Sequence, residues 1–166
     1  MHTGIGNKSR TNANAGTDDL ANAVLTASRV LVAVAARSLA EEEAVSLPQY
    51  RALVVLASRG PQRPVDLAQA LNVDPSTATR MCDRLEGKDL ITRRRDEVDR
   101  RVVVLDLSAG GRRLVDRVTR RRRKEIGQIL TAIDPKERTN LIQAFTVFGT
   151  AAGEAPEGSW QRSWEL

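Results

Sequence analysis

The sequence predicts a mainly α protein with one small β hairpin, and three observations carry that expectation. Apolar residues recur at helical spacing through most of the 166-residue chain. One stretch breaks the rhythm: Thr92-Arg93-Arg94-Arg95 and the β-branched run Val102-Val103-Val104-Leu105-Asp106-Leu107 flank a charged segment, as two strands flank a tip. Just before it, two helical segments are separated only by Asn72-Val73-Asp74, a turn as short as a helix-turn-helix demands.

Composition narrows the function. The length supports one main domain with an accessory helical layer. A net charge of +5 favours an anionic partner such as nucleic acid or an acidic membrane surface. One cysteine excludes an intramolecular disulfide framework, and one histidine, His2, leaves no metal-ligand cluster. Aromatics at 3% leave no stacking platform for single strands. Paired carboxylates, a nucleophile with its base and a phosphate loop are all missing, so neither catalysis nor a cofactor is expected. No run reads as a membrane span and the N-terminus lacks an apolar signal core, which predicts a cytoplasmic protein with no membrane partner.

Taken in order, residues 1–16 are rich in Gly, Asn, Ser and Thr and are expected to be a disordered tail. A long helix fills residues 17–45, starting at Thr17 or Asp18, with Leu20, Val24, Leu25, Leu31, Val32, Ala35 and Leu39 along one stripe. So long a helix at the edge of so small a protein is most economically explained if the stripe meets a second subunit. Glu41-Glu42-Glu43 reads as its solvated end. Ser46-Leu47-Pro48-Gln49 has capping-box spacing, and Gly60-Pro61 closes the helix it starts. The next helix begins at Pro64, turns Leu67 and Leu71 inward, places small Ala68 at a close crossing and ends at a left-handed Asn72. Asp74 before Pro75 is the N-cap pairing for the helix that follows. After it, Asp89 stands at a left-handed turn position that aspartate tolerates. Ser108 caps a helix from Ala109 to about Ile133, with Leu114, Val115, Val118, Ile126, Ile129, Leu130 and Ile133 apolar. Arg120 to Lys124 interrupts it, read either as a solvated bend or as long-range attraction toward DNA. Asp134 and Glu137 repeat the cap logic for a last helix expected to bury Leu141, Ile142, Phe145 and Phe148. Residues 153–166 form a tail whose Trp160 and Trp164, four apart, would share one side of a helical turn and could dock.

The stretch from Asp74 to Leu107 carries the chemistry. On a helical projection Ala78, Met81, Cys82 and Leu85 share a packed stripe, which makes Cys82 an inert core residue. Ser76, Arg80 and Asp83 lie opposite, flanked by Thr77, Thr79 and Arg84. Hydroxyls and guanidinium groups at the N-terminal end of a helix, where N–H groups also favour phosphate, suit a DNA-reading helix. Arg84 would meet a phosphate or Asp83, and Asp83 would pair with Arg80 or Arg84 or accept from cytosine. In the hairpin, one or two of Arg93, Arg94 and Arg95 would contact phosphate unless they only keep a strand edge soluble, and Arg101 at the tip would enter a minor groove.

Asp74 to Leu107, with Asp66-Leu67-Ala68 before it and Ser108-Ala109-Gly110-Gly111 after it, resembles the winged helix-turn-helix of the MarR family of bacterial transcription regulators. The most specific piece is Asp99-Arg100-Arg101 followed by Val102 to Ser108, similar to that family's D-x-R motif and the strand leading to its Leu-Thr helix start. Ser108 stands where threonine is usual, and Asp89 where glycine is. The order of elements matches over about residues 18 to 150.

The resemblance implies that residues 46–108 form the DNA-binding region and that the N-terminal helix and the helices of residues 109–152 dimerise. It further implies sequence-specific binding of double-stranded DNA by a homodimer, most often as a repressor. The operator would be a pseudo-palindrome with half-sites about one helical turn apart. A small effector, often aromatic or anionic, would bind between the dimer helices and the winged domain. Asp99 would fix the wing turn or orient Arg101. Peroxide-sensing relatives carry a reactive cysteine in the first helix, which this chain lacks. A ligand-independent architectural DNA-binding protein and a helical protein-interaction module remain as alternatives.

Overall fold

The computed structural model describes residues 6–42, 45–96 and 98–157, with side chains from Gly16 onward. Its elements are α1 (Gly6–Leu39), α2 (Leu47–Arg59), α3 (Pro64–Leu71), α4 (Pro75–Glu86), β1 (Ile91–Arg95), β2 (Val103–Leu107), α5 (Ala109–Thr131) and α6 (Pro135–Ala151). This is the mainly α fold with one antiparallel hairpin that the sequence predicts. Met1–Arg37 and Ser38–Leu166 are two compact units. Trp160 and Trp164, and with them the expectation that they dock, lie outside the described residues.

The first unit departs from expectation at its start. Helix α1 begins at Gly6, not at Thr17 or Asp18, so the disordered tail predicted for residues 1–16 is corrected over the described part. No proline interrupts this stretch, and a helix already nucleated extends at the gain of one hydrogen bond per residue even through poor formers. Leu20, Leu25 and Val32 are exposed. The segment Gly16–Leu39 is also long and apolar enough to cross a membrane by length and composition alone, contrary to the expectation that no run is. The core helix of a soluble protein passes the same test.

The second unit is built on local signals that hold. At the head of α2, the Ser46 N–H donates to Gln49 Oε1 at 2.9 Å and the Gln49 N–H to Ser46 Oγ at 3.4 Å, the reciprocal box. Gly60, at φ 74° and ψ −163°, ends the helix in a conformation that only glycine adopts without strain. Gln62 then exchanges two backbone hydrogen bonds with Leu105, at 3.0 and 2.7 Å, adding a one-residue rung to the hairpin. Asn72 closes α3 in the left-handed region, and Asp89 takes the left-handed position after α4.

Hairpin register pairs Ile91 with Leu107 and Arg95 with Val103. It turns Ile91, Leu105 and Leu107 into a core shared with Leu53, Leu56, Leu67, Leu85, Val115 and Val118. Burial of each such side chain stabilises by about 1.5–3 kcal/mol. At the start of α5, Ser108 Oγ accepts from the Gly111 N–H at 3.0 Å and donates to the Asp89 carbonyl at 2.5 Å. The helix end packs so tightly on the turn after α4 that a Cβ on Gly111 would lie 2.0 Å from the Leu90 carbonyl oxygen.

Three expectations fail in this unit. Helix α5 runs unbroken through Arg120 to Lys124, because arginine and lysine are good helix formers and nothing there removes a ladder bond. Glu42 is no solvated helix end. Its side chain is 9% exposed and accepts from Arg117 Nε and Nη2, at 3.2 and 3.0 Å, and from Arg121 Nη1 at 2.8 Å. The Arg117 hydrogen bonds, joined by Arg121, hold the Glu42 carboxyl below its ordinary range despite opposing desolvation. Finally, α6 buries none of its residues in the single chain. Ile142, Phe145 and Phe148 are 69%, 52% and 55% exposed, because none of the described elements covers that face.

Candidate nucleic-acid interface

Helix α4 presents its two faces as the spacing predicts. Ala78, Cys82 and Leu85 are buried and Met81 is half-buried against the core. Burial pushes the Cys82 thiol up, away from the reactive thiolate. Ser76, Thr79, Arg80, Asp83 and Arg84 are exposed, whereas Thr77 is half-buried and nearer the body than its neighbours. The Asp74 cap is corrected: its backbone takes the N-cap conformation but its side chain makes no capping bond. The Thr77 N–H that the carboxylate would bind is already turned onto the Asp74 carbonyl at 2.9 Å. With no side-chain cap, the positive end of α4 stays available to an anion.

On the exposed face, Thr79 Oγ1 donates to the Pro75 carbonyl at 2.8 Å and Arg80 Nε to the Ser76 carbonyl at 3.3 Å. The second bond lays the Arg80 side chain along its own helix. Asp83 pairs with neither Arg80 nor Arg84 but with Arg93 of β1, whose Nη2 donates to Asp83 Oδ1 and whose Nε lies 3.4 Å from Glu86 Oε2. The strand leaves the turn alongside the C-terminal half of α4, so a cation two residues into β1 reaches carboxylates that a helical projection cannot connect to it. Hydrogen bonding to Asp83 raises the Arg93 pKa further.

The wing is fixed by carboxylates. Asp99 Oδ1 accepts from the Arg101 N–H at 3.0 Å, while Asp96 Oδ1 accepts from the N–H groups of Val98 and Asp99 at 2.9 and 3.0 Å. Those two backbone bonds lower the Asp96 pKa. The role of Asp96 went unread in the sequence; aspartate at the mouth of a hairpin loop, able to bond N–H groups two and three residues on, was its available signal. Arg95 Nη1 donates across the loop to the Arg100 carbonyl at 2.8 Å. Arg94 Nε lies 3.7 Å from Asp106 Oδ2, and Arg112 Nη2 lies 3.5 Å from the other oxygen while donating to the Leu107 carbonyl at 3.1 Å. Arg84 and Arg101 are exposed and form no salt bridge among the described residues. The fold thus groups the predicted residues on α4 and the hairpin, and sorts their cations into those held by protein and those open to a polyanion.

The model of the MarR family matches residues 45–103, which span α2 through the wing. An HTH-type transcriptional regulator of Mycobacterium tuberculosis, MT0903.1, is 30% identical over 112 residues, covering 68% of this chain and 78% of the relative. The HTH-type transcriptional repressor MdtR of Bacillus subtilis is 32% identical over 104 residues, 63% of this chain and 65% of that one. Among solved structures, RV1404 from Mycobacterium tuberculosis superposes with a TM-score of 0.78 at 42% identity, covering 85% of this chain and 97% of that one. With the helix-turn-helix, the D-x-R wing and these relatives together, the chain belongs to the MarR family of helix-turn-helix transcriptional regulators.

Proposed function

We propose that the chain binds a pseudo-palindromic DNA operator as a homodimer, represses transcription in the cytoplasm and is released by a small-molecule effector. The observation that carries the DNA reading is that Arg80, Arg84, Arg95, Arg100 and Arg101, on α4 and the wing, are exposed and have no carboxylate partner among the described residues. Ser76, Thr77 and Thr79 bring hydroxyls to the same helix, at its uncapped positive end. Arg80 and Arg84 suit a major groove, where an arginine reads guanine through two acceptors. Arg101 suits the narrow minor groove beside it, and Arg94 and Arg95 the backbone between.

Dimerisation is supported by α6. A face carrying Ile142, Phe145 and Phe148 in the open is larger than an isolated chain keeps in water without a partner. Repression is favoured by MdtR, whose name describes a repressor. An effector acts if it binds the DNA-incompetent spacing of the two winged units more tightly than the competent one.

A nuclease footprint over DNA upstream of the gene, read together with light scattering of the free protein, tests this. A protected palindrome with half-sites about one helical turn apart and a twofold particle are expected. A monomer protecting no discrete site would overturn the reading.

A further inference from the structure

The ion pairs of Arg93 assign it a task distinct from that of its neighbours. We infer that Arg93 is a positioning residue for DNA reading: it acts through Asp83 and Glu86, holding strand β1 to the recognition helix, and is not itself a phosphate ligand. The inference rests on the DNA reading above. Its basis is geometric. The Arg93 guanidinium engages both carboxylates, its Nη2 on Asp83 and its Nε 3.4 Å from Glu86, and its side chain is 35% exposed. Asp83 stands on the exposed face of α4, one position before Arg84 and three after Arg80. An unpaired carboxylate there would face the polyanion that the arginines attract.

Two consequences follow for the interface. Arg93 covers negative charge that would otherwise repel phosphate at the C-terminal half of the reading helix. It also ties the root of the wing to α4, since Arg93 lies opposite Leu105 in the hairpin register and Leu105 is fully buried. Opposite residues of a hairpin share a face, so the same side of β1 enters the core through Ile91, beside Leu105, and is clasped to the helix through Arg93. The wing carrying Arg101 and the helix carrying Arg80 then meet DNA as one rigid body, so that little conformational entropy is lost on binding.

The test uses the full-length chain and a duplex enriched by the wild type from a random library, in five proteins. They are the wild type, Arg93→Ala, Arg93→Lys, the double variant Asp83→Asn/Glu86→Gln, and the triple variant that combines Arg93→Ala with it. A positioning role predicts that Arg93→Ala weakens binding on the order of tenfold in the wild-type background and costs little more once the carboxylates are gone, as expected for groups acting as one unit. Arg93→Lys should restore only part of the wild-type affinity, because one ammonium cannot span both carboxylates as the guanidinium fork does. Thermal unfolding of each variant confirms that the fold persists, and a solution structure of the triple variant provides a second reading of the wing angle.

An equal loss from Arg93→Ala in both backgrounds would mean that Arg93 meets DNA directly, and would overturn the inference while leaving the DNA reading intact. A wild type that enriches no duplex from the library would overturn the DNA reading itself, and the inference with it.

Discussion

Substituting Gly111 by alanine should be among the most disruptive single-methyl changes the chain can suffer. The added Cβ would stand 2.0 Å from the Leu90 carbonyl oxygen and 3.1 Å from Leu107 Cδ2. Ordinary contact needs well over 3 Å, so the start of α5 or the turn before β1 must retreat by more than 1 Å. Both are bound at that point: the Ser108 N–H donates to the Leu90 carbonyl at 3.2 Å, and Ser108 Oγ bridges Asp89 and Gly111. Overpacking alone costs about 1–3 kcal/mol, and a broken serine cap adds about 1 kcal/mol. The sum is about 2–4 kcal/mol, which for a domain of this size lowers Tm by roughly 4–16 °C. Gly127→Ala, in the same helix with nothing within 4 Å of the new methyl, should be neutral or slightly stabilising. Thermal and urea unfolding of the two variants give the comparison. A Gly111→Ala protein that melts within a degree or two of wild type would refute the packing described at this junction.

Other contacts lead to further expected outcomes. Glu42, held below its ordinary pKa of 4.5, contributes stability that is fully present above that value and is lost as pH falls through its lowered value in the folded state. Glu42→Gln should therefore lose stability at neutral pH and show a flatter decline than wild type when unfolding is followed from pH 7 to pH 3; parallel curves would contradict the Arg117 and Arg121 cage. Ile142→Glu/Phe145→Glu should give a folded monomer by light scattering, since neither side chain serves the core of its own chain; a persistent dimer would place the interface elsewhere. The clasp between Arg51 and Glu154, about two-fifths exposed on both sides, should matter little: Glu154→Gln is expected to change unfolding stability by less than about 1 kcal/mol, and a larger loss would show that the segment after α6 is anchored there.

What was legible in the sequence was what local chemistry decides. The Ser46–Gln49 box, the Gly60 stop, the left-handed Asn72 and Asp89 and the packed stripe of α4 each depend on residues within one turn of one another. The exposed stripe of α4 could be read for the same reason, and the D-x-R motif gave the wing its identity. Contacts between elements were not legible. Arg93 reaches Asp83 ten positions back, and Arg117 and Arg121 reach Glu42 across more than seventy, distances over which periodicity carries no information. The same limit explains Asp74, where sequence identifies the cap position but not which acceptor its N–H partner chooses. Apolar spacing predicted burial in α6, yet could not say that no described element of the chain covers that face.

The central claim, that α4 reads bases while the wing reads groove shape and charge, is tested most directly by salt titrations of Arg80→Ala and Arg101→Ala on the enriched duplex and on a scrambled one. Loss of a bidentate guanine contact removes about 1–3 kcal/mol of discrimination, so Arg80→Ala should erode the preference for the enriched duplex. Arg101→Ala should weaken both duplexes by a similar factor and lower the salt slope by about one unit. Equal loss on both duplexes for Arg80→Ala, or no loss at all for Arg101→Ala, would contradict the account.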